Sequence, residues 1–342
     1  MAIYKHNDNP NVVVHFLRKV YNPVGFKKGY NALLAFISLG YIFGFSLSQV
    51  QKFDVWGYWT RNNGPGETWA VTTKGQLYKV SMTMHIVVVI PAGILVVLQF
   101  IPIIRYKALI LHRINGYLVM LLMLIFSVTG IIISRVSFGG DFATQTFAGV
   151  FGIAVILSGA LAYINIKRLQ IEQHRAWMMR AWAYSASIIT LRIIQIIAAE
   201  IVGSLPDRYH VLPCEQIDSV GGMSAATYPS CAADPSGYTA AKMDLNGAGV
   251  AEVMAALQGT FGGAGLLAFF LHALGIELYL HFTPAEAQRL RQVSFERQQE
   301  RGFRRPGSAG LTADRLGDAE WVPLKQHGEQ DAQAKGKIVT HD

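Results

Sequence analysis

Six apolar runs, near residues 30–50, 80–104, 115–134, 146–167, 181–203 and 252–280, leave this chain few ways to fold. Each is long enough to cross a hydrocarbon core, which takes roughly 20 residues of helix. They predict an all-α fold, a polytopic membrane helical bundle with six transmembrane helices spread over residues 30–282. Pro91, Gly93 and Pro102 in the second run and Gly259, Gly262, Gly263 and Gly265 in the sixth are compatible with this, because neighbouring helices re-satisfy the backbone. Only 15% of residues are charged, against about 25% in soluble domains, so a lipid bilayer is the expected surroundings.

Charge placement orients the bundle. Lys5, Arg18, Lys19, Lys27 and Lys28 precede the first run; Arg105, Lys107 and Arg113 fill the second connection, and Lys167, Arg168, Arg175 and Arg180 the fourth. Arg289, Arg291 and Arg297 follow the sixth run, whereas the third connection offers only Arg135 and the fifth only Arg208 and Lys242. The positive-inside rule then puts both termini in the cytoplasm and loop 204–251 on the extracellular or lumenal side. The first connection, with Lys52, Arg61, Lys74 and Lys79, fits least well. Topology accounts for the excess of 30 Lys and Arg over 22 acids, so no nucleic-acid partner is expected.

The two cysteines, Cys214 and Cys231, both fall in loop 204–251, on the side where disulfides persist. A bridge between them would stabilise the loop by about 3 kcal/mol on the chain-entropy account. Residues 1–29 combine Val12, Val13, Val14, Phe16 and Leu17 with basic residues, as an interfacial segment on an anionic leaflet does. Phe53, Trp56, Tyr58, Trp59, Trp69 and Tyr78 in the first connection read as an aromatic belt. Thr283-Pro284-Ala285-Glu286 has the residues of a capping box and predicts a cytoplasmic amphipathic helix over 283–301. Residues 302–342 are too polar to bury a core and read as a disordered tail. No Walker loop, dinucleotide fingerprint or HExxH motif is present.

Ionisable groups inside a bilayer cost about 2.5 to 3.5 kcal/mol each on insertion scales, so each needs a reason. His85, Arg192 and Glu200 would line one pocket in the outer half of the bundle, suited to acid-base chemistry on a lipophilic small molecule. His112 and His174 open the third and fifth runs at equal depth, as the axial ligands of one b-type haem iron would, with Arg113, Arg175 and Arg180 as propionate partners. The same His-Arg pairs would also serve as interfacial anchors on lipid phosphate. A small-solute or proton carrier is a third reading, which the lack of an evident inverted repeat disfavours. These readings imply a redox partner or a lipophilic small molecule as partner; oligomeric state is not encoded.

His85, His112-Arg113 followed by Gly116, His174-Arg175-Ala176-Trp177-Met178 with Arg180, and Arg192 twelve residues later together resemble the multi-pass membrane family known as domain of unknown function 2306. The resemblance covers about residues 80–203. It implies a helical membrane fold and, more remotely, similarity to b-type membrane cytochromes, which ranks transmembrane electron transfer through haem b first. Two histidines 14 residues apart on one helix mark many di-haem proteins, and here Gln99 follows His85 at that spacing, so a single haem is the expectation.

Overall fold

The computed structural model describes residues 12–307, 310–312, 317 and 321–323. Among these, six helices are long and apolar enough to cross a membrane, with mean hydropathies from 1.6 to 2.5. The chain opens with α1 (Val12–Tyr21), which has no buried residue, and α2 (Gly29–Ser48). Then come α3 (Glu67–Thr73), α4 (Gln76–Phe100), α5 (Pro102–Lys107), α6 (Leu109–Ile133), α7 (Phe142–Lys167) and α8 (Ile171–Gly203). A small lobe of β1 (Tyr209–Pro213), α9 (Cys214–Ser219), α10 (Pro229–Ala233) and β2 (Tyr238–Lys242) precedes α11 (Val250–His281) and α12 (Pro284–Glu300). The chain forms two compact units, one from Met1–Gly152 and Ile189–Leu266, the other from Ile153–Ile188 and Leu267–Asp342.

In the first unit α4 packs on α6. Lipid tails are as apolar as the side chains, so close packing and hydrogen bonds hold such a pair rather than burial alone. Val96 and Val119 are fully buried. Asn115 Nδ2 donates to the Leu95 carbonyl at 3.0 Å, and Gln99 Nε2 donates to the His112 carbonyl at 3.2 Å. Gln99 is therefore a helix clamp. Ser46 of α2 occupies the space that a Cβ on Gly93 would need. Along α8, Leu191, Gln195 and Ala199 face inward while Ile193, Ile196, Ile197 and Ile201 are exposed, a division at helical spacing that gives one face to lipid.

The first connection departs from a simple aromatic belt. Trp59 is buried in a core with Val55, Val71, Ile86 and Ile90. Lys74 lies 4.7 Å from the Trp69 ring and Lys79 4.6 Å from that of Trp56. Two of the basic residues that fit the charge pattern least well are thus stacked on aromatic faces.

In the lobe β1 pairs antiparallel with β2, Tyr209 opposite Lys242 and Pro213 opposite Tyr238. Cys214 and Cys231 form a disulfide. Leu212, Cys214, Ile217 and Met254 make its fully buried centre. On α11, Gly262 meets the backbone of Ala143 and Thr144, and Gly265 meets the Phe147 ring, so α7 and α11 approach through glycine.

In the second unit Thr283 precedes α12, but its hydroxyl donates back to the Tyr279 carbonyl at 2.9 Å, and Glu286 pairs with Arg289. The expected capping box does not form. The last carbonyls of α11 lack intrahelical partners, and Thr283 serves one of them instead. Gln298, fully buried, donates to the Arg168 carbonyl and accepts from the Gly307 amide. The expectations for residues 1–11 and for most of 302–342 lie outside the described residues.

Candidate functional site

A carboxyl group is built into the first unit by local backbone geometry. Gly66 caps α3 with φ +78°, and a Cβ there would run into Met254 and come within 2.7 Å of Gln216 Nε2. Gln216, 2% exposed, donates to the Gly66 carbonyl at 3.1 Å. This pins Glu67, whose side chain is 4% exposed and whose Oε1 accepts from the Phe138 amide at 2.8 Å. Burial raises Glu67 to about 7, an effect that the Phe138 amide and the Arg192 guanidinium only partly offset.

Phe138 belongs to the turn Ser137–Gly140, where Phe138, Gly139 and Gly140 have φ of 50°, 78° and 59°. A left-handed non-glycine residue costs about 1 to 2 kcal/mol. Here the Glu67 bond and a parallel stack on Phe261, centroids 4.1 Å apart, hold it. The Arg192 guanidinium lies 4.7 Å from the Phe138 ring and 5.3 Å from that of Phe261. Its Nη1 donates to Gln195 Oε1 at 3.2 Å, and Gln195 Nε2 donates onward to the Leu257 carbonyl at 2.8 Å. A guanidinium offers five donors, so most of the capacity of Arg192 is not used by this bond.

Three further groups surround this centre. Arg192 interacts electrostatically with Lys52 and His85 as well as Glu67. Burial, and then the Arg192 charge, lower the proton affinity of Lys52. His85 Nδ1 lies 3.0 Å from the Phe126 carbonyl, an acceptor only, so Nδ1 carries the proton in the neutral ring and Nε2 is the proton acceptor. Gln258, one helical turn before Phe261, is 1% exposed and neither amide atom has a hydrogen-bond partner. A Cβ on Gly139 would come within 2.9 Å of Gln258 Oε1 and 3.2 Å of His210 Nε2.

Of the residues singled out from sequence, His85 and Arg192 come together, while Glu200 does not join them. Glu200 is exposed and accepts from Asn246 Nδ2 at 2.9 Å; Glu67 provides the carboxyl instead. Spacing along one helix favoured Glu200, because it lies two turns from Arg192. Glu67 and Gln258 were missed: the first lies 125 positions away from Arg192 and the second inside a glycine-rich apolar run. A lone acid after Gly64-Pro65-Gly66 and a lone amide in a membrane segment were the available signals.

His112 and Arg113 lie in the first turns of α6, with Arg113 exposed. His174, Arg175 and Arg180 belong to the second unit. His174 Nδ1 bonds the Ala162 carbonyl at 3.0 Å, and Arg175 Nη2 donates to the Tyr279 hydroxyl at 3.1 Å. Arg180 makes a bidentate pair with Glu277 at 2.6 and 2.8 Å, over the Trp177 ring at 4.6 Å. Two of the three arginines suited to haem propionates are therefore engaged by protein groups. Among the described residues no group of three or more His, Cys, Asp or Glu is placed to hold a metal ion.

Six helices long and apolar enough to cross a membrane define a polytopic helical membrane protein, and its first unit holds a buried carboxyl and a guanidinium that makes one side-chain hydrogen bond. Residues 82–212, which include His85, Arg192 and both His-Arg pairs, match the model of the family described as predicted membrane protein (DUF2306). No curated protein and no solved structure matches the chain.

Proposed function

We propose that the chain performs acid-base chemistry on a lipophilic small molecule held in the first unit. Glu67 exchanges the proton, His85 Nε2 is the second proton acceptor, and Arg192 stabilises negative charge on a ligand oxygen. The observation that carries this reading is the turn at Phe138, whose amide donates to the buried Glu67 carboxyl and whose ring lies against the Arg192 guanidinium, a group that makes one hydrogen bond to protein. A general acid or base works best with a proton affinity near the working pH.

Two measurements test it. The carbonyl-stretch infrared band of protonated Glu67 should titrate between about pH 6 and 8 and be missing in Glu67→Gln. Membranes expressing the wild type, Glu67→Gln or His85→Gln should differ in at least one lipophilic metabolite. Identical lipid profiles across the three, at equal expression, would refute an enzymatic role.

The haem b reading draws on one observation: the Nδ1 bond of His174 to the Ala162 carbonyl orients the ring as outer-shell bonds orient ligating histidines. A reduced-minus-oxidised spectrum without a Soret band, after expression with adequate haem, would end it.

A further inference from the structure

The second unit contains a cavity of about 250 Å³ where α7 turns into α8. Leu161 and Ile164 line it from the last turns of α7, Arg168 follows one turn after Ile164, and Trp177 comes from α8. Gly310 and Leu311 of the C-terminal segment form the remaining wall. That segment is tied to the turn. The Ile171 amide donates to the Ser294 hydroxyl at 2.9 Å, and Gln298 joins the Arg168 carbonyl to the Gly307 amide. Gly310 is buried with φ +85°, and a Cβ there would come within 2.8 Å of Asn165 Oδ1, so glycine is what lets the wall lie this close. Three observations define the ligand. The volume falls below the roughly 300 to 1,000 Å³ of pockets that enclose a drug-sized molecule, so the cavity suits a head group whose chains stay outside. Arg168 is exposed and its guanidinium makes no hydrogen bond or ion pair among the described residues, whereas Arg175 and Arg180 of the same unit are engaged by Tyr279 and Glu277. Ile153, Leu157 and Ile164 are exposed, and their spacing places them with Arg168 on one face of α7.

From this arrangement we infer that the α7–α8 turn binds the head group of an anionic glycerophospholipid from the surrounding leaflet. Arg168 takes the phosphate, because a guanidinium fork matches two phosphate oxygens. The acyl chains lie outside the cavity along Ile164, Leu157 and Ile153. Trp177 supplies an apolar ring with one N–H donor, the kind of side chain that sits at head-group depth. Lys167, 5.3 Å from the Tyr163 ring, adds a second positive charge beside Arg168 and favours a lipid with net negative charge over a zwitterionic one. Since Gly310 and Leu311 form one wall, a bound lipid also holds the C-terminal segment against the span, and by linkage the ordering of that segment strengthens lipid binding. The site lies wholly in the second unit and goes beyond the acid-base reading, which concerns the first.

The test is native mass spectrometry of the purified full chain in a neutral detergent, titrated with dioleoyl phosphatidylglycerol, dioleoyl phosphatidylcholine, dioleoylglycerol or glycerol 1-phosphate. Phosphatidylglycerol should form its first adduct at a concentration about tenfold below that needed for phosphatidylcholine. Dioleoylglycerol, which lacks the phosphate, and glycerol 1-phosphate, which lacks the chains, should bind more weakly than either. Arg168→Gln should weaken phosphatidylglycerol binding about tenfold, and Arg168→Lys about threefold, because an ammonium keeps the charge without the fork. Gly310→Ala, which pushes the wall off Asn165, should weaken it about threefold or more. Arg61→Gln, at an exposed arginine of the first connection, should leave it unchanged. Equal affinities for phosphatidylglycerol and dioleoylglycerol, or an affinity unaltered in Arg168→Gln, would overturn the inference. Equal losses in Arg61→Gln and Arg168→Gln would reveal general charge attraction and overturn the site. Glycerol 1-phosphate binding as tightly as phosphatidylglycerol would make a free phosphate ester the ligand and overturn the lipid. An unchanged affinity in Gly310→Ala would overturn the part given to the C-terminal segment. Should Arg168→Gln fail to fold, Arg168→Lys decides by the same comparison.

Discussion

Glu67→Gln converts one buried proton into a stability difference that can be measured. Burial takes the carboxyl from 4.5 to about 7, so the folded protein holds its proton across a window in which the unfolded chain has lost it. A raised carboxylate value destabilises the fold as pH rises through that window, because ionisation is easier unfolded. At about 1.36 kcal/mol per unit, the full effect is about 3 kcal/mol, most of which falls between roughly pH 5 and 8. Gln keeps an oxygen for the Phe138 amide and carries no titratable proton. Thermal unfolding in detergent should show the wild type losing a few degrees from about pH 5 to about pH 8, with Glu67→Gln nearly flat over the same range. Parallel pH profiles for the two proteins would show that Glu67 is not the buried neutral acid described above.

Other substitutions test the framework around it. Gly262→Ala should lower the unfolding midpoint by several degrees because its Cβ would meet Ala143 and Thr144 backbone, whereas Gly263→Ala, with nothing within 4 Å, should be neutral. Cys231→Ala should cost about 3 kcal/mol, read as a lower midpoint that added reductant no longer changes. Arg180→Lys should cost about 1 kcal/mol, since an ammonium cannot make the bidentate pair with the half-exposed Glu277 carboxylate. Combining Arg180→Lys with Glu277→Gln should cost little more than either change alone.

The membrane architecture was legible because a span needs only length and hydropathy, both local properties of the sequence. Arg192 was legible for the same reason, as a charge where charge is expensive. The cysteine pair followed from composition and compartment. The rest of the site was hidden because it depends on contacts between distant segments. Glu67 reads as one acid in an aromatic connection until the turn at Phe138 donates to it. Gln258 reads as helix filler until Gly139 packs against it. The His-Arg pairs are a contrasting case. Their local pattern is distinctive, yet Arg175 and Arg180 go to Tyr279 and Glu277, residues about a hundred positions away. Trp59, expected at headgroup level, is buried because Val55, Val71, Ile86 and Ile90 surround it.

Gln216 sits two residues after Cys214 on α9, and its amide holds the carbonyl of Gly66, the residue before Glu67. The covalent bridge of the lobe and the acid of the polar centre are thus joined by one short α-helical segment and one hydrogen bond. A thiol reductant acting on the lobe would loosen the anchor of α9, let Gly66 drift, and admit water to Glu67, returning the carboxyl toward ordinary acidity.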